Sequence, residues 1–79
     1  MRLDKFLKVS RLIKRRTVAN EACDAERVTV NGRLAKASYS VKIGDIIEVR
    51  FGARTLRVEV LEVSETAKKA DAPAMYREL

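Results

Sequence analysis

Apolar positions in the first sixteen residues recur at helical spacing. At about 100° per residue, Leu3, Phe6, Leu7, Ser10 and Ile13 fall on one side, and Arg2, Lys5, Lys8, Arg11 and Arg15 on the other. The pattern predicts an amphipathic helix with one packing face and one cationic face, although Leu12 falls on the basic side and Lys14 near the apolar edge. A second, short helix is expected over 17–25, where Val18, Ala22, Cys23 and Ala25 offer small apolar contacts and Glu21 lies toward the favourable N-terminal end. Its small side chains suit close packing against the first helix.

From Val28 the period changes to alternation. Val28 and Val30 face one way, and Asn31-Gly32 is the strongest short signal for a hairpin turn. Leu34, Ala35 and Ala37 lie beyond it. An irregular loop then passes Tyr39 and Val41 to a second turn at Lys42-Ile43-Gly44-Asp45. Residues 46–51 and 56–63 are rich in β-branched side chains and are separated by Gly52-Ala53-Arg54, which predicts a second hairpin. After Ser64 the strand pattern is lost, and a polar connection leads to Pro73-Ala74-Met75-Tyr76. The order of elements predicts an α+β domain over 1–64, two N-terminal helices packed on a small bent antiparallel sheet, followed by a partly mobile C-terminal tail over 65–79.

At 79 residues there is room for one modest core and none for a separate catalytic domain. The chain has one cysteine, Cys23, which excludes an internal disulfide, and no histidine, which removes the commonest general base and metal ligand. There is no phosphate-cradling glycine loop and no pair of carboxylates set for acid–base work. We therefore expect no enzyme, no cofactor and no metal site. Met1 leads straight into a charged segment, and every apolar run is far short of the roughly 20 residues that cross a bilayer. The expected location is cytoplasmic.

Charge is what gives the first helix its meaning. Residues 1–16 hold seven basic residues against the single acid Asp4, a net +6 that equals the net charge of the whole chain, so the remaining residues balance to zero. A charged helix face is ordinarily just solvated, but a one-sign stripe repels itself at helical spacing and points to a polyanionic partner. Nucleic acid fits first; an acidic protein or an anionic membrane surface is the rival. Arg2, Lys5, Arg11, Lys14, Arg15 and Arg16 are the candidates for phosphate and ribose contacts, with guanidinium groups able to make paired hydrogen bonds that lysine cannot.

The order Arg2-Leu3-Asp4, an Arg/Lys-rich segment, Val28-x-Val30-Asn31-Gly32 and Val41-x-x-Gly44-Asp45 resembles the S-four RNA-binding domain. Each landmark is weak alone; the ordered set is specific. The opening Arg2-Leu3-Asp4-Lys5-Phe6-Leu7 and the closing Ala74-Met75-Tyr76-Arg77-Glu78-Leu79 resemble more narrowly the heat shock protein fifteen and RqcP family, in the compact form without a long basic extension. The resemblance implies an S-four-like fold (αL motif) whose two helices carry the RNA face. Arg2, Asp4, Lys5, Lys8, Arg11, Lys14, Arg15 and Arg16 are then the RNA-binding candidates, with Arg16 foremost. It further implies a non-catalytic, monomeric factor that binds large-subunit rRNA and peptidyl-tRNA beside an RqcH-like factor, which supports alanine tailing of a stalled chain. A general structured-RNA binder and a basic protein-interaction module are the alternatives.

Two positions depart from that family's pattern. Arg15 stands where a capping Ser or Thr often precedes the second helix, with Thr17 as a possible substitute. Glu26 stands where Gly often precedes the first strand, so it must either turn left-handed or shorten the helix. Asp4 has two readings, a helix-start carboxylate holding Arg2 or Lys8, or a direct RNA contact. Tyr39 and Tyr76 are either base-stacking or packing residues.

Overall fold

The β-branched runs become the centre of a five-stranded sheet in the computed structural model, which describes residues 1–64 and 74–79. The polar connection expected after Ser64 lies largely outside the described residues. Helices α1 (Leu3–Val9) and α2 (Arg16–Asp24) precede strands β1 (Val28–Val30), β2 (Arg33–Leu34), β3 (Ile46–Phe51), β4 (Arg54–Val60) and β5 (Tyr76–Glu78). The sheet order is β2-β1-β3-β4-β5 with every neighbour antiparallel. Alternation along the strands turns Val28, Val30, Ile47, Val49, Val58 and Val60 to one face, where they bury against Leu3, Phe6 and Leu7 of α1 and Ala19 and Cys23 of α2. The outer face carries cross-strand pairs such as Glu48 with Arg57, 3.4 Å apart.

The first helix is shorter than its sequence pattern. It stops at Val9, and the buried Ser10 bends its hydroxyl back to the Leu7 carbonyl at 3.3 Å. Arg11 then turns left-handed at φ 66° and the chain folds back, so that the Ile13 amide donates to the Leu7 carbonyl at 3.0 Å. Ile13 still reaches the core, which is why it falls in phase with the helix although it is not part of it. The basic stripe is therefore divided. Arg2, Lys5 and Lys8 belong to the α1 region, Arg11, Lys14 and Arg15 to a reversing loop, and Arg16 to the first turn of α2.

Helix α2 begins one residue before its expected start, with Arg15 as an N-cap whose side chain makes no capping bond. At its other end Glu26 adopts φ 61°, and the Arg27 amide closes on the Ala22 carbonyl at 3.0 Å. Of the two outcomes open to that position, the left-handed one holds. Asn31 and Gly32 have φ of 53° and 82°, the signs a two-residue hairpin with native twist requires. At the other hairpin Gly52 takes φ 59°, so the turn is tighter than its composition suggests, and Phe51 pairs directly with Arg54. Strand β4 ends at Val60 rather than 63.

The C-terminal residues fold onto the sheet. Met75 is fully buried, and β5 pairs Tyr76 with Val60 and Glu78 with Val58. A strand of three residues has too little periodicity to register as one in the sequence.

Candidate nucleic-acid interface

The one acid of the basic segment is its organising centre. Asp4 occupies the first turn of α1, and packing of α1 against α2 leaves its side chain 3 % exposed. Burial pushes its pKa up, but hydrogen bonds from Arg2, Asn20 and Arg16 outweigh that, and the carboxyl stays below its usual range as a carboxylate. One oxygen accepts from the Lys5 amide at 2.8 Å and from Arg2 Nε at 3.2 Å. The other accepts from Arg2 Nη2 at 3.4 Å and Asn20 Nδ2 at 3.3 Å, and lies 3.4 Å from Arg16 Nε.

Arg2 and Arg16 are fourteen positions apart in the chain and meet here on one carboxylate. Their side chains remain 50 % and 47 % exposed, so each uses part of its five-donor fork inward and presents the rest to solvent. Arg2 is further fixed by its backbone, which bridges to Ser40 in extended geometry. The result is two fixed guanidinium groups rather than two swinging ones, which suits paired contacts to phosphate.

Asp4 holds Arg2, as one of its two readings expects, with Arg16 and Asn20 added, and it makes no bond to Lys8. Asn20 was not singled out from the sequence. Its signal is the four-residue spacing from Arg16, which puts both on the same face of α2. Lys8, Arg11, Lys14 and Arg15 are exposed, and none has an ion-pair partner among the described residues.

A second buried carboxylate joins the other landmarks. Asp45 accepts from Asn31 Nδ2 at 3.1 Å, from the Tyr39 hydroxyl at 2.8 Å and from the Lys42 amide at 2.9 Å. Burial pushes its pKa up as well, yet the Lys42 amide, Tyr39 and Asn31 hold it below the ordinary value. Asn31 Oδ1 in turn accepts from the Ile46 amide at 2.9 Å. The Asn-Gly and Gly-Asp motifs are thus two halves of one bonded unit that fixes the first hairpin. Tyr39 spends its hydroxyl there and packs against the core, as Tyr76 does from β5.

Cys23 is buried, and burial first, then the charges of Asp4 and Asp24, push its thiol up to about 11. No group of three or more His, Cys, Asp or Glu among the described residues is placed to hold a metal ion. No described helix is long and apolar enough to cross a membrane.

The S4 domain family model matches residues 1–47. The protein named RQC P-site tRNA stabilizing factor from Streptococcus pneumoniae is 58 % identical over 76 residues, covering 96 % of this chain and 86 % of that protein. Its namesake from Bacillus subtilis is also 58 % identical, covering 96 % of this chain and 88 % of that one. Among solved structures, a trimeric structure of Vibrio cholerae heat shock protein 15 superimposes with a TM-score of 0.92 at 35 % identity, covering 100 % of this chain and 81 % of that one.

Proposed function

The chain belongs to the S4 domain family, among the RQC P-site tRNA stabilizing factors, and from that membership we propose how it acts. It is an RNA-binding factor of ribosome-associated quality control that holds peptidyl-tRNA on a large ribosomal subunit by bridging rRNA and tRNA backbones. Arg2 and Arg16 make the central contacts, and Lys5, Lys8, Arg11, Lys14 and Arg15 add charge around them. Asp4 acts from behind by fixing the two arginines. A single copy of the chain suffices, and it performs no bond chemistry of its own. An RqcH-like factor on the same subunit then supports alanine addition to the stalled chain.

The observation that carries this reading is the shared carboxylate. Arg2 at the N-cap of α1 and Arg16 in α2 are held on one carboxylate while half exposed, so part of the ordering cost of binding is met before RNA arrives. Holding tRNA in one position requires only that contacts there be better than in competing positions. Neutralised phosphates should make the affinity fall steeply with salt, by about 0.9 in log–log slope for each duplex-type contact.

The test is co-sedimentation of wild-type and Arg16→Ala protein with empty large subunits and with subunits carrying peptidyl-tRNA. Preference for the loaded subunit, lost in the variant, is the expected result. Equal binding to both reduces the function to general RNA binding, and no binding to either moves it to a protein-interaction role.

A further inference from the structure

A groove on the far side of α2 has no part in the arrangement around Asp4. One wall is α2 with its C-cap, where Val18, Ala22 and Ala25 recur at helical spacing, and Ile13 from the reversing loop also lines the groove. The opposite wall is the tip of the β3–β4 hairpin, where Phe51 stands 45 % exposed beyond the end of the core. Val18, facing it, is 46 % exposed. The groove encloses about 280 Å³, slightly under the roughly 300–1,000 Å³ of small-molecule sites. It therefore suits one planar ring rather than a whole ligand.

Its rim is cationic in a way the fold alone does not explain. The pairing of Val28 with Val49 places Arg27 directly across from Arg50, and the Arg50 amide donates to the Arg27 carbonyl at 2.9 Å. Like charges directly opposite on neighbouring strands destabilise a sheet. Neither arginine has an ion-pair partner among the described residues, and Glu48, the nearest acid along β3, is engaged with Arg57. Glu21 is the carboxylate of the groove and sits on the helix wall, so an anion is confined to the hairpin side. An exposed aromatic ring in a groove that Arg27 and Arg50 also line, neither ion-paired among the described residues, matches a nucleotide, whose base stacks while its phosphate takes the charge. Continuity favours RNA over an acidic peptide: the loop that lines the groove through Ile13 also carries the exposed Arg11, Lys14 and Arg15 and runs directly into Arg16.

We propose that this groove is a nucleotide subsite, in which one unpaired base of the bound RNA stacks on Phe51 while Arg27 and Arg50 hold its phosphate. The proposal rests on the RNA-binding reading above and extends it to a second surface on the other side of α2.

The chain contains no tryptophan, so Phe51→Trp installs a single reporter. Its emission is followed while a tRNA transcript or, separately, empty large subunits are added, and binding of Phe51→Ala, Phe51→Leu and the Arg27→Gln/Arg50→Gln pair is measured by co-sedimentation over a range of salt. Phe51 is nearly half exposed, so these variants keep the core, and thermal melts verify it. Saturable quenching by at least one RNA is expected, and which one quenches identifies the source of the nucleotide. Both Phe51→Ala and Phe51→Leu should weaken binding about 5- to 150-fold at unchanged salt slope, whereas the arginine pair should reduce the slope by about two. Unmoved emission while co-sedimentation persists, or Phe51→Ala binding within about twofold of wild type, overturns the subsite and leaves the RNA reading standing on Arg16. Emission that responds to polyglutamate but to neither RNA overturns it in favour of an acidic protein partner. Failure of the wild-type protein itself to bind either RNA removes the underlying reading, and the subsite falls with it.

Discussion

Replacing Asp4 by Asn keeps the shape of the side chain and removes its charge, which isolates what the carboxylate does for Arg2 and Arg16. Bonds to charged groups are worth about 1.5–3 kcal/mol each, but both guanidinium groups are half exposed and regain water when released, so the loss is set well below the sum, at about 2 kcal/mol. For a domain of this size that is a fall in melting temperature of roughly 8–16 °C. The pH dependence identifies the cause. Asp4 is held below its ordinary value of 3.8 in the folded protein, so its contribution is fully present above that pH and is lost as pH falls through the folded pKa. The gap between wild type and Asp4→Asn should thus be constant from pH 7 to about 5 and close below about 3.8; Asp45 is common to both proteins and cancels. RNA affinity supplies the second readout. The variant gains one unit of net positive charge, which by itself strengthens attraction to RNA. If the arginines must be ordered again on binding, at about 0.5–1.5 kcal/mol each, affinity instead drops by about tenfold. Tighter binding by a folded variant, or a melting gap that persists unchanged into strong acid, refutes the positioning role.

Other outcomes follow from the same geometry. Glu26→Gly relieves a left-handed non-glycine residue and should raise stability by about 1 kcal/mol in urea denaturation, whereas a loss would mean that the Glu26 side chain contributes more than its backbone costs. Asp45→Asn removes the charge that joins Asn31, Tyr39 and Lys42, and should lower stability by about 2 kcal/mol, with broadened amide signals around the first hairpin; an unchanged urea midpoint would contradict this. Cys23, buried and with its thiol pushed up to about 11, should react with a thiol reagent at pH 8 only as fast as the protein opens, so that rapid native-state labelling would disprove its burial.

What the sequence made legible was local chemistry, and what it hid was placement. The Asn31-Gly32 turn and the alternation of Val28 and Val30 follow from backbone preferences that act over a few residues, and both stand in the structure. The strain expected at Glu26 follows from the same kind of rule. The length of α1 does not, because Ile13 keeps helical phase while reaching the core from a loop, and periodicity cannot distinguish the two. Strand β5 is invisible because its three residues are too few to show a period, and only its pairing with β4 makes it a strand. The charge map located the basic segment but read it as one stripe. That Arg2 and Arg16 share a carboxylate depends on how α1 meets α2, and Asn20 enters for the same reason.

The sealing of the core by Met75 has a consequence for the order of folding. Both hairpins and both helices are complete by residue 60, yet the cavity that Met75 fills and the edge of β4 that β5 covers stay open until the residues from 75 onward are available. During synthesis from the N-terminus, a chain that has emerged only as far as Ser64 has both helices and both hairpins and none of its closure. A side chain of that size left unfilled costs about 2–5 kcal/mol, a large share of what a small domain possesses. The domain therefore commits to its native state late, and premature termination just short of residue 75 should yield a loosened, protease-sensitive product rather than a slightly smaller copy of the fold.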